Sequence, residues 1–238
     1  MKSIVMRKSI FALVLLTAVI CSPLILNAAD EAKDKSTTVI KYKPPMLGAP
    51  NVRTGGGTRG SSGDALELTV LAPEHTGLSS KAQPSLCWYI SKASKLKIEI
   101  SISETKAAVP LLEKNVENQA SGINCINLKE FGVTLAKGTE YKWFISAIGN
   151  EGNRSKDIVS GGAVMVAEPS KELAGKLSTS KGVEKVALYA EEGFWYDAIE
   201  GISDLIKEAP ADKSLREVRA TLLEQAGLKE AANIDRKM

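Results

Sequence analysis

Residues 135–155 read LAKGTEYKWFISAIGNEGNRS. Tyr141, Trp143, Ile145 and Ala147 recur at every second position, so the middle of this stretch is a strand with one buried face. Gly138 precedes it, and Gly149-Asn-Glu-Gly152 follows it as turn chemistry. Working outward, Leu66, Leu68 and Val70 alternate with polar neighbours, as do Leu86, Trp88 and Ile90, and again Leu96, Ile98, Ile100 and Ile102. Leu111 to Val116 alternates more weakly, and GINCINL (122–128) and AVMVAE (163–168) complete the set. Short runs of period 2 separated by Gly, Pro, Asn and Ser argue for an antiparallel β-sandwich over residues 64–168.

The stretch from Leu135 to Ser155 resembles the E–F corner and F strand of fibronectin type III domains. The resemblance implies a mainly β, immunoglobulin- or fibronectin-like sandwich. It also implies that Tyr141 is a structural corner, its hydroxyl bonding back to the backbone just upstream. The same topology sets the strands carrying Cys87 and Cys125 side by side. Cys87 is out of phase with Leu86 and Trp88, and Cys125 with Ile126 and Leu128, so both point outward from one sheet, within disulfide reach. Such a bond stabilises by about 3–4 kcal/mol in the chain-entropy model.

Residues 169–238 change to helical periodicity. Helices are expected over Ser170–Leu177, Val183–Glu192, Tyr196–Glu208, Ser214–Ala226 and Lys229–Lys237, the fourth opened by the capping box Ser214-Leu-Arg-Glu217. Tyr189, Gly193, Ala198, Ile202, Leu205 and Pro210 resemble a tetratricopeptide repeat, and Gly227 and Ala232 follow Gly193 and Ala198 by 34 residues. The repeat's early tryptophan is absent, and Val186 stands where it has a glycine. One repeat and part of another bury too little alone, so these helices are expected to pack on the sandwich or on another chain.

Gly48-Ala-Pro50, Gly55-Gly-Gly-Thr-Arg-Gly60, Tyr141-Lys-Trp143-Phe and Leu188-Tyr-Ala-Glu-Glu-Gly-Phe-Trp195-Tyr-Asp-Ala198 together resemble the bacterial domain of unknown function 928 family. The resemblance implies export, a glycine-rich lead, a β domain and a short helical tail. It implies no activity.

The N-terminus agrees with export. Lys2, Arg7 and Lys8 precede the apolar run Phe11–Ile20, and Leu26 and Ala28 suit a cleavage site, so residues 1–28 read as a signal peptide cleaved after about Ala28. Cys21 admits a lipid anchor, but Ile20 stands where that motif wants a small residue. Removing three basic residues from 31 leaves 28 Lys and Arg against 28 Asp and Glu. That neutral balance excludes an electrostatic case for nucleic acid. Residues 29–63, rich in Pro, Gly, Ser and Thr, read as a flexible tether, with a short extended piece at Thr38–Pro45.

Gly55–Gly60 fits GxGxxG, yet prolines precede it and an alternating strand follows, so the strand–loop–helix setting of a dinucleotide site is missing. No nucleotide or other cofactor is expected. His75, the single histidine, sits in APEHTGLS and reads as a solvated loop residue. Cys87, Cys125 and one histidine fall short of a zinc site. No catalytic constellation emerges. Phe194-Trp195-Tyr196 is the sharpest remaining feature. Adjacent helical positions diverge by about 100°, so the three rings are not expected all to point inward, and Phe194, Trp195 and Tyr196 are the candidates for contact with a partner or a sugar ring. The favoured reading is that they cement the helical tail to the sandwich. The expected function is a periplasmic or cell-surface protein-interaction module without catalysis. A carbohydrate- or envelope-binding module is the alternative.

Overall fold

The structure is a computed structural model describing residues 40–45, 52–55, 66–116 and 120–238. The expected signal segment, Cys21 and residues 56–60 of the glycine run lie outside them. β1 (Leu68–Val70), β3 (Ser85–Ile90) and β6 (Gly122–Asn127) form an antiparallel sheet in the order β1-β3-β6. β2 (Gly77–Ser79), β4 (Lys97–Glu104), β5 (Leu112–Val116), β7 (Glu140–Ile148) and β8 (Ile158–Val166) form a second sheet in the order β2-β8-β7-β4-β5. Ile98, Ile100 and Ile102 stand opposite Ala147, Ile145 and Trp143. Paired residues share a face, and all six are at most 1% exposed. Leu68, Val70, Leu86, Trp88 and Ile90 join them in one buried cluster. The two sheets also meet through Val70 N–H, which donates to Ser160 Oγ at 3.0 Å. A Cβ on Gly162 would lie 2.4 Å from that of Ala72, so only glycine admits this approach.

The second sheet is mixed rather than purely antiparallel, because β2 runs parallel to β8. Pro73 has no N–H to extend the ladder of β1, and the chain passes to the edge of the other sheet instead. The three residues of β2, Gly-Leu-Ser, are all buried and carry no alternation to reveal them.

Five helices follow: α1 (Lys171–Thr179), α2 (Gly182–Glu191), α3 (Trp195–Glu208), α4 (Lys213–Gln225) and α5 (Lys229–Asp235). The cap of α4 is Asp212, whose carboxylate accepts from Ser214 N–H at 2.9 Å, not Ser214 itself. α3 and α5 pack on the three-stranded sheet. Asn127 of β6 donates to Glu200 of α3 at 3.4 Å, and its register places Cys87, Cys125 and Tyr89 on that same covered face. β3 is therefore buried on both sides. Cys87 points out from the sheet pair as expected, but it is 1% exposed because the helices cover it. Cys87 and Cys125 are directly opposed and joined by a disulfide with an S–S distance of 2.07 Å.

The flexible-tether expectation is overturned for Ile40–Pro45 and Val52–Gly55. Ile40 and Tyr42 are 5% and 6% exposed. Lys43 N–H donates to Ala190 O at the end of α2 at 3.1 Å. Thr54 exchanges two backbone hydrogen bonds with Gly161 of β8, at 2.8 and 3.1 Å. These anchors are side chains and backbone groups from distant parts of the chain, which composition does not show.

Candidate functional site

α2 and α3 form an antiparallel hairpin. The turn is made by Gly193 at φ 81°, where a side chain would be strained and a Cβ would meet Pro45 at 3.0 Å. The aromatic run opens α3, and all three rings are buried, which corrects the expectation that they do not all point inward and leaves no exposed ring for a partner or a sugar. Phe194 packs with Leu78, Leu173 and Leu177 in a separate cluster. Trp195 Nε1 donates to Leu71 O at 2.8 Å. Tyr196 reaches in past Gly77, where a Cβ would lie 2.8 Å from its ring, and donates to Ala163 O at 2.9 Å. The divergence of adjacent helical positions does not expose a ring here, because sheets, α1 and the N-terminal segment surround the start of α3 on several sides. The rings cement the layers, and none presents a face to a partner or sugar.

Outside this cement, α2 and α3 leave an open groove of about 380 Å³. Its floor is Val186, Leu205 and the ring of Tyr189, the last two half-buried. Gly201 keeps the floor low, since a Cβ there would press on Val186 Cγ2 at 3.2 Å. Glu200, Asp204 and Glu208 of α3 line it on one side, with Lys81 of the β2–β3 turn against Glu200, and Lys185 lines it from α2. Lys81 pairs with Glu200 at 2.8 Å. Burial alone would lower the Lys81 ammonium, but the hydrogen bond and charge of Glu200 hold it above its ordinary value. At the closed end, Asp197 is 2% exposed and accepts from Ser80 N–H at 2.8 Å and from Ser80 Oγ. Burial raises its pKa above the ordinary carboxylate value, and the Ser80 bonds oppose this.

A second cavity of about 310 Å³ lies where the N-terminal segment crosses the β1–β2 loop and the end of α4. Tyr42, Pro44, Pro73, His75 and Gln225 line it. His75 is not the free loop side chain expected. It is half-buried, its Nε2 lies 2.7 Å from Tyr42 Oη, and its ring stacks on Tyr42 with a centroid distance of 5.8 Å. Among the described residues, no three His, Cys, Asp or Glu side chains stand together to hold a metal.

A family model of the Domain of Unknown Function (DUF928) matches residues 54–235. The chain belongs to the DUF928 family. The DUF928 match takes in both sheets and all five helices, so the strands and helices are one family unit. It begins at Thr54, the residue that bridges to Gly161. No curated relative matches the chain. Among solved structures, a multi-domain immunophilin from Arabidopsis thaliana aligns at 10% identity over 73% of this chain and 93% of its own. The TM-score of 0.17 gives that likeness no weight for the fold.

Proposed function

We propose that this DUF928 chain is an exported, non-catalytic protein-interaction module that receives its partner in the α2–α3 groove. The half-buried ring of Tyr189 beside Leu205, flanked by charged side chains, carries this reading. An apolar centre with a polar rim is the anatomy of a protein interface. Export rests on the sequence pattern of residues 1–28. Finer readings of the architecture accompany it. The orders β1-β3-β6 and β8-β7-β4-β5 correspond to strands A-B-E and G-F-C-C′ of an immunoglobulin- or fibronectin-like sandwich. Tyr141 Oη accepts from Ala136 N–H at 3.2 Å, which supports the corner. Gly193 and Gly227 both follow a helix at positive φ, 81° and 75°, which supports a repeat-like pair of hairpins. The test is a photo-crosslinking residue at Asp204 on the groove, used in intact cells, alone and combined with Tyr189→Ala or Leu205→Glu in the same chain. A protein adduct lost in both variants supports the reading. Cross-linking unaffected by either variant moves the contact elsewhere.

A further inference from the structure

The segment Ile40–Pro45 is a strap. Its backbone and side chains are held at three points: Gln225 accepts from Tyr42 N–H at 2.6 Å, Gln225 donates to Ile40 O at 3.0 Å, and Ala190 O accepts from Lys43 N–H at 3.1 Å. The Tyr42 ring then reaches down edge-on to Trp195, at a centroid distance of 4.8 Å, and ends on His75. Arg53 makes a separate clasp on Ala72 O and Ala226 O, at 3.1 and 2.7 Å. Only the strap therefore depends on a group that changes charge near neutral pH.

We propose that Ile40–Pro45 is a pH-sensitive strap, closed while His75 is neutral and loosened when His75 gains a proton. A neutral imidazole with its proton on Nδ1 accepts a hydrogen bond from the Tyr42 hydroxyl at Nε2. A protonated ring donates from both nitrogens. Nε2–H would then face the Tyr42 oxygen, and the phenol proton would lose its acceptor in a largely buried place. The phenol cannot respond by ionising, because burial and the neighbouring Tyr196 push its pKa far up. The charged groups around His75 do not replace the lost bond. Glu74, its chain neighbour, is 3.3 Å from Arg53. Glu224, on the α4 side, is held by Arg236. The strap's own Lys41 and Lys43 are exposed. Burial lowers the His75 pKa, partly opposed by Glu74. A lowered value means that the folded state disfavours the proton. The contribution of the strap's Tyr42–His75 bond is therefore complete above the ordinary histidine range and is lost as pH falls through the lowered value. Loosening would uncover the face of Trp195 and the end of α2 beneath the strap.

The test is nuclear magnetic resonance of the purified protein from about pH 8 to about pH 5. It follows the His75 ring and the amides of Tyr42 and Lys43. The expected result is that both amides move toward unrestrained-chain positions with the same midpoint as the ring. In His75→Gln the amides should keep one position across the range. In Tyr42→Phe they should be displaced throughout, and His75 should titrate at a higher pH than in the parent. Strap amides that stay fixed while His75 titrates would overturn the proposal. So would amides that move alike in the parent and in His75→Gln.

Discussion

Trp143 Nε1, in the middle of the five-stranded sheet, donates to Tyr196 Oη at the start of α3 at 2.8 Å, and the same hydroxyl donates on to Ala163 O. One phenol thus ties the helices to the interior of the sheets. Tyr196→Phe leaves a buried indole N–H without its acceptor, and the expected cost is about 1–3 kcal/mol. Tyr89 makes the comparison. Its hydroxyl is buried with no partner among the described residues, and burial with the nearby Glu67 raises its pKa. Tyr89→Phe removes an unsatisfied polar group and should be neutral or stabilising. Urea unfolding of both variants decides the matter. Equal losses would mean that the Trp143–Tyr196 bond contributes nothing specific.

The helices are locked to one another by a buried pair. Arg219 Nε and Nη2 donate to the two oxygens of Asp235 at 2.7 and 2.6 Å, and Nη1 donates to Ser203 Oγ at 3.0 Å, joining α3, α4 and α5. Asp235→Ala strands a guanidinium that is almost fully buried, and should destabilise by about 3–5 kcal/mol. Arg219→Met with Asp235→Leu should recover much of the loss, because neither charge is then left alone. A single Asp235→Ala that unfolds at the parent's urea midpoint would refute this.

Much of the sheet was legible because one face of each strand packs and the other does not. Ile98, Ile100 and Ile102 show this in β4, and Tyr141 to Ala147 show it in β7. The same logic hid β2, where Gly77, Leu78 and Ser79 are buried on every side. It also failed in holding that Phe194, Trp195 and Tyr196 do not all point inward, since a helix start enclosed on several sides leaves no free direction. The strap was illegible for another reason. Tyr42 is held by Gln225, which lies 183 residues away, and local composition carries no trace of that bond. The α2–α3 groove had a signal in Gly201 and in the period of Glu200, Asp204 and Glu208. Its depth depends on how closely the two helices approach.

The disulfide bridges β3 and β6 beneath the helices. Peptide mapping without reductant should recover the fragments holding Cys87 and Cys125 as one linked species. Cys87→Ala with Cys125→Ala should lower stability by about 3–4 kcal/mol in the chain-entropy model, for a sequence separation of 38. Recovery of the two fragments unlinked would show that the cysteines are reduced in the mature protein.

Asp197 gives a prediction about pH. The side chain is 2% exposed and joins α3 to the β2–β3 turn through Ser80. Burial raises its pKa, while the Ser80 bonds and the Lys81 charge pull the other way without cancelling the rise. A raised value in the folded state means that the native protein holds this proton more tightly than the unfolded chain does. The contribution is therefore complete below the ordinary carboxylate range and is lost as pH rises through the raised value. Asp197→Asn keeps the shape and an oxygen for Ser80 N–H but cannot ionise. From about pH 4 to about pH 7 the parent should lose stability relative to this variant, beyond whatever slope the other carboxylates give both proteins. Urea midpoints at the two pH values measure it. Parallel pH slopes for parent and variant would mean that Asp197 ionises as easily folded as unfolded, and that the closed end of the groove is wetter than its burial indicates.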